Sequence, residues 1–218
     1  MRCIITAGPT YERMDEVRRL TNFSTGRLGT ELANFLVSCG HHVTLLIGEQ
    51  ATYGGERHAQ GVETFSTTEN LRTRLHSLAD PAVEAVFHAA AVSDFGFGKI
   101  WLRSPQGELS EIKSGKISTR QGTLLAELVP TPKILAELRA WYPTARLVGW
   151  KYEVNGDQAG VLCAAELQLT TCLTDACVAN GPAYGLGFNL VTGTGARRHL
   201  HLADKGALFE RLEAMLRP

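Results

Sequence analysis

Short apolar runs alternate along the chain with stretches of helical period. Arg2–Thr6 (RCIIT), His42–Ile47 (HVTLLI), Val62–Ser66, Val83–Ala90 (VEAVFHAA), Arg146–Trp150 (RLVGW) and Leu173–Val178 read as strands. Helices are expected from about Gly26 to Cys39, from Thr67 or Thr68 to about Leu78, from Thr131 to about Tyr142, and over Gln158–Thr171. Strands that are apolar throughout and separated by helices bury both faces, which points to a parallel sheet with helices on either side. Thr131-Pro132 offers an N-cap and then a proline in the first turn. His199–Leu202 reads as a short edge strand, and Asp204 caps a last helix with Leu208, Leu212 and Met215 on one face. The chain is thus expected to be a single α/β domain over residues 1–218.

The middle breaks this rhythm. Residues 94–118 are rich in Gly, Ser and Lys without sustained periodicity, as a lid or binding loop would be. Gly122–Val129 then reads as a strand in a hairpin with residues near Ile117.

Composition narrows the function. The 218 residues carry 22 Lys+Arg against 22 Asp+Glu, a formal charge of zero. That excludes a protein that holds nucleic acid mainly by bulk charge, which needs an excess of basic residues. The five cysteines are scattered and odd in number, so they do not suggest a disulfide framework. Cys172 and Cys177 lie close together but have no His or Cys at metal-ligand spacing, so no metal site is expected. No apolar run reaches signal-peptide or membrane length, and a reducing cytoplasm with no membrane partner fits best.

In a doubly wound sheet, ligands bind on the loops beyond the carboxyl ends of the strands. The first such loop, Thr6-Ala7-Gly8-Pro9-Thr10, lets backbone at Gly8 approach a ligand closely, but is neither GxGxxG nor a GxxxxGK[ST] loop. It continues through Arg18, Arg19, Asn22 and Ser24-Thr25-Gly26 to a helix. Arg18 or Arg19 can hold a phosphate or carboxylate bidentately. Asn22 can donate to a developing oxyanion, and the helix start favours an anion. A plain solvated loop ending in an N-cap accounts for the same spacing. The third stretch, His88-Ala89-Ala90 to Asp94, joins small side chains that leave room for a flat ring with an acceptor carboxylate. His88 itself reads first as a satisfied core histidine at a strand end.

ITAGPT and VRRLTNFSTGRLG, then HAAAVSDF, then KIS and PTPKIL, then LVGW, form an ordered set that resembles the phosphopantothenate–cysteine ligase family of coenzyme A biosynthesis. The resemblance covers nearly the whole chain. It implies a Rossmann-like, homodimeric enzyme of the monofunctional form, a three-layer parallel sheet with a flap over 94–118 and a small antiparallel extension. Such enzymes join 4′-phosphopantothenate to the amine of L-cysteine with Mg²⁺ and a nucleotide, CTP in bacterial members and ATP in eukaryotic ones. By position in the motifs, Asn22 matches the catalytic asparagine, Arg18 the substrate-binding arginine and Lys116 the flap lysine, with Lys99 and Lys113 nearby. Arg19 and Gly8 fall beside the substrate, while His88, Ala89, Ala90, Asp94, Pro132, Lys133, Ile134, Leu135 and Trp150 fall at nucleotide-pocket positions.

The match departs from the family in charge. Bacterial members that use CTP carry lysines on the helix corresponding to residues 158–171, whereas no Lys or Arg occurs from Tyr152 to Ala196 here. That gap motivates the alternative, a non-catalytic or repurposed nucleotide-binding module on the same fold.

Overall fold

The computed structural model describes residues 1–112, 117, 122–193 and 198–217. Its main sheet has eight strands: β1 (Arg2–Ala7), β4 (His42–Gly48), β5 (Gly61–Phe65), β6 (Ala85–His88), β10 (Arg146–Tyr152), β11 (Ala176–Asn180), β12 (Phe188–Thr192) and β13 (Arg198–Leu202). Across the sheet they run β13-β12-β11-β10-β6-β1-β4-β5. The neighbours from β5 to β11 pair in parallel, and β12 and β13 extend the sheet antiparallel. Numbered among themselves in chain order, the parallel strands lie 3-2-1-4-5-6, the order of a Rossmann sheet.

The period of two within each strand decides which helix it feeds. Cys3, Ile5 and Ala7 of β1, Val43, Leu45 and Ile47 of β4, and Phe87 of β6 pack toward α1 (Arg27–Ser38) and α5 (Lys205–Ala214). Ile4, Leu46, Val86 and Leu147 face the other way, onto α2 (Thr68–Ser77) and α3 (Ile134–Trp141). The α4 helix (Gln158–Cys172) covers β11 on that second face through Val161, Ala165 and Leu169. Both faces are therefore dry, which is why these strands read as unbroken apolar runs. Thr67 and Asp204 cap α2 and α5 as expected, accepting from Asn70 N and Ala207 N.

Helix α1 meets β1 at a glycine. A Cβ on Gly29 would lie 2.6 Å from Ala7 Cβ and 3.0 Å from the Thr6 carbonyl oxygen, neither of which can rotate away. Gly29→Ala gains about 1 kcal/mol of helix propensity but incurs about 3 kcal/mol of overpacking. The net loss of about 2 kcal/mol is expected to lower the melting temperature by about 4–8 °C in calorimetry.

The structure revises the middle of the chain. Where an unpatterned loop was expected over 94–118, the described residues carry β7 (Phe95–Arg103) and β8 (Leu109–Glu111). The strand expected over 122–129 is β9 (Thr123–Pro130), which pairs antiparallel with β7; the hairpin expected with residues near Ile117 falls mostly outside the described residues. The three form a separate sheet in the order β8-β7-β9. The long polar loop after β1 likewise holds a hairpin, β2 (Tyr11–Arg13) and β3 (Arg19–Thr21). Thr131 does not cap α3, because its hydroxyl donates to the Ser93 carbonyl at 2.5 Å and the helix starts at Ile134. Leu173 belongs to no strand: it ends α4 in the left-handed region, φ 53°, and β11 begins at Ala176.

Candidate active site

Strand order reverses between β1 and β6, so the loops leaving their carboxyl ends part to opposite sides and open a crevice there. Main-chain hydrogen bonds stitch these loops together. Ala91 N donates to the Gly8 carbonyl at 3.0 Å and Thr10 N to the Ala91 carbonyl at 3.1 Å. The buried Thr10 hydroxyl donates to Ser93 Oγ at 3.1 Å and accepts from Ser93 N at 2.8 Å. Thr131 adds the loop after β9 through Ser93 and through its own N–H on the Asp94 carbonyl.

Asn22 sits on this seam. Its Nδ2 donates to the Ala91 carbonyl at 3.1 Å, while the residue itself is exposed. A side-chain amide has two N–H donors, so one fixes the group and the second is free for a ligand.

Beside it lies a cavity of about 220 Å³ bounded by Gly8, Ser24 to Gly29, Ala89 and Lys205. Gly26 opens α1 with φ 79° and no side chain of its own to cap it; Arg27 N donates to the Thr25 hydroxyl at 3.3 Å, and Leu28 and Gly29, which follow, line this cavity. Uncapped N–H groups and the helix dipole favour an anion. Gly8, φ 80°, brings the β1 turn close: a Cβ there would lie 2.8 Å from Ala51 Cβ.

His88 is a packed strand-end residue and not a base. It is 6% exposed, its Nδ1 lies 2.9 Å from the Thr6 hydroxyl, and burial alone lowers its pKa from 6.5 to about 4. The same hydroxyl accepts from Ala90 N at 3.0 Å, so Thr6, which sequence reasoning passed over, ties β1 to the start of the alanine run.

The arginines are already engaged. Arg18 donates from Nε and its terminal nitrogen to Asp15 at 3.0 and 2.5 Å, and to the Ile117 carbonyl at 2.8 Å. Asp15, its side chain 1% exposed, also accepts from the backbone N–H groups of Val17, Arg18 and Ile117. The Arg18 guanidinium above all, and then those N–H groups, hold the Asp15 carboxyl well below the usual carboxylate range. Arg19 lies over the Tyr11 ring, 5.0 Å from its centroid. Ile134 and Leu135 are core residues, 1% and 8% exposed, whereas Pro132, Lys133 and Asp94 are exposed. Trp150 is half-buried at the end of β10 with its indole N–H unpartnered. Unpartnered too are the buried Oδ1 atoms of Asn180 and Asn189, on the two strands beyond β10. Buried polar atoms without partners on three adjacent strands await hydrogen bonds from elsewhere. Lys113 and Lys116 lie outside the described residues. Lys99 is exposed on β7 with its Nζ 3.8 Å from Glu111.

A larger cavity, about 640 Å³, opens at the opposite, amino end of the central strands among Met1, Glu84, Arg139, Arg146 and Asp175. Its charges are spent internally: Arg139 bonds Asp175 at 2.7 Å and the carbonyls of Leu173, Tyr142, Pro143 and Ala145. Size therefore does not locate the site, and chemistry does. Among the described residues, no group of three or more His, Cys, Asp or Glu side chains converges as a metal would require, and no helix is long and apolar enough to cross a membrane.

Residues 1–194 match the model of the family described as DNA/pantothenate metabolism flavoprotein C-terminal domain. A coenzyme A biosynthesis bifunctional protein CoaBC from Thermococcus kodakarensis is 32% identical over 214 residues, 97% of this chain. The chain spans 49% of that relative's length. A DNA/pantothenate metabolism flavoprotein from Streptococcus pneumoniae superposes with a TM-score of 0.81 at 24% identity, covering 99% of both chains. The Cab2 mutant H337A, solved as a complex with phosphopantothenate-cysteine, superposes at 0.69 with 19% identity, over 99% of this chain and 84% of that one.

Proposed function

This chain belongs to the DNA/pantothenate metabolism flavoprotein C-terminal domain family, and we propose that it is a ligase joining 4′-phosphopantothenate to L-cysteine at the expense of a nucleoside triphosphate. The observation that carries the reading is the pairing, at the sheet's switch point, of an anion-accepting cavity with an amide held by one of its two N–H groups.

In the first step the substrate carboxylate attacks the α-phosphate, forming an acyl-nucleotide and releasing pyrophosphate. In the second, the cysteine amine attacks the acyl carbon, an amide bond forms, and the nucleoside monophosphate leaves with the electron pair of the broken C–O bond. A neutral amide at Asn22 suits both steps. It tolerates two approaching anions where a carboxylate would repel them, and its second N–H can stabilise the oxyanion of the addition intermediate. The nucleotide's phosphates belong in the cavity at the α1 N-terminus. The orphaned donor of Trp150 and acceptor of Asn180 are suited to its base or ribose. Mg²⁺ enters this proposal as the counter-ion of the nucleotide, part of the substrate. Glu31, the carboxylate behind the cavity's Lys205 and Arg27, is already paired with both. CTP is the nucleotide favoured, with ATP the competitor, and Lys116 is the flap cation. The five free thiols suit a cytoplasmic protein.

The proposal includes a homodimer. Phe23 is fully exposed just beyond β3, and Leu20, Phe95, Leu125, Leu128 and Val129 are exposed on the hairpin and on β7 and β9. An apolar surface of this kind suits a second copy of the chain. Light scattering is expected to give twice the 23.7 kDa chain mass, falling to the monomer in Leu128→Glu.

The assay is direct. Protein is incubated with phosphopantothenate, cysteine, Mg²⁺ and CTP or ATP, and pyrophosphate is measured. Release that requires phosphopantothenate is expected with one nucleotide. Nucleotide binding by calorimetry without any release would leave the non-catalytic reading instead.

A further inference from the structure

Residues 152–196 contain no Lys or Arg, so α4 brings no cation to a nucleotide. The cavity obtains its cations elsewhere. Lys205, the first residue of α5, forms part of its wall, and Arg27, the first residue of α1, forms another part. Both are held by one carboxylate that is not itself part of the wall. Lys205 Nζ donates to Glu31 Oε2, and Arg27 Nε donates to Glu31 Oε1 at 2.6 Å. The Tyr53 hydroxyl donates to the same Oε1 at 3.3 Å.

Two cations on one carboxylate leave a positive charge over, beside a helix end that is itself positive. Asn22, where the α-phosphate must react, sits on the Ala91 carbonyl. What extends from there toward α1 and α5 is the leaving end of the triphosphate. Resting on the ligase reading above, we infer that Lys205 binds the β- and γ-phosphates of the nucleotide, and that Glu31 is the carboxylate they displace from it.

The exchange is physically cheap. Lys205 is 38% exposed, on a flexible stem, and an ion pair so open to water contributes little of its own. Arg27 stays on Glu31, so the displaced carboxylate is not left unpaired. A phosphate group carries more charge than a carboxylate and accepts the same ammonium donors. The pair also links α5 to α1, so nucleotide binding would trade a contact between helices for one to the ligand.

Calorimetric titration of the triphosphates and monophosphates of adenosine and cytidine tests this, on wild type, Lys205→Met, Lys205→Arg and Glu31→Gln, with melting temperatures alongside. Losing one charge-assisted contact should weaken triphosphate binding by Lys205→Met about 10-fold. Monophosphate binding should hardly change, and Lys205→Arg should keep most of the affinity. Glu31→Gln should tighten triphosphate binding even as it loosens the helix pair. Equal weakening of monophosphate and triphosphate, or weaker binding by Glu31→Gln together with a lower melting temperature, would make Lys205 a tether of α5 and overturn the inference. A wild type that binds no nucleotide overturns the ligase reading and this inference with it. Normal triphosphate affinity in Lys205→Met overturns the inference alone.

Discussion

Asn22→Ala is expected to lower the rate of amide formation by about 10²–10³, the cost of removing one oxyanion donor from a pre-organised site. The loss should fall on kcat, because the second N–H of Asn22 is used only when the acyl oxygen becomes an anion. Chemistry also says which step suffers. An acyl oxyanion forms when cysteine adds to the acyl-nucleotide, so one equivalent of pyrophosphate should still appear in a single turnover while product lags. Asn22→Asp should do no better than alanine, since a carboxylate has no N–H to give. The residue is exposed and makes one hydrogen bond to the Ala91 carbonyl, so both variants should melt close to wild type. Unchanged product formation in Asn22→Ala would remove this residue from the mechanism.

The second large effect is an acid-labile fold centred on His88. Its folded pKa of about 4 lies below the unfolded 6.5, so between those values the unfolded chain binds more protons and stability falls as pH falls. The full difference corresponds to about 3 kcal/mol. It is intact above pH 6.5 and gone near pH 4. The lowered carboxyls, Asp15 and Glu213, act in a different window. Their contributions are present above the ordinary carboxylate range and are lost only as pH falls through their depressed values. Urea unfolding of wild type and His88→Asn at pH 7, 5.5 and 4.5 separates the two. Wild type should lose stability steadily across that range. The variant, less stable at pH 7, should be nearly flat. Parallel slopes in the two proteins would mean that His88 is not the group responsible.

The central strands were legible in the sequence because burial on both faces leaves them mostly apolar. β1, β4 and β10 therefore stood out at nearly their observed bounds. β7 did not, because most of its positions are exposed or half-buried and it includes Gly96 and Gly98. Its partner β9 lies beyond a further strand, a pairing that no local pattern encodes. Thr131 misled for another reason: its hydroxyl has a competing acceptor, the Ser93 carbonyl, which only the folded chain supplies. Asn22 and Gly8 both lie at the switch point. Ile134 and Leu135 share a motif with nucleotide-pocket positions, yet they turn into the core, because a helix on a sheet has to bury one side. Lys205 had no local signal at all. It reaches the first helix only because α5 packs back across the sheet beside α1.

Thr10, Ser93 and Thr131 join three loops through buried or half-buried hydroxyls and main-chain groups, so none of these loops can drift alone. In evolutionary terms the seam is a single inherited unit: a change in one loop that alters its path must be matched in the other two. Diversity in nucleotide or acyl-acceptor preference should accordingly be found in side chains that project from the seam, and in the elements that arrive over it from the hairpin, the small sheet and the last helix.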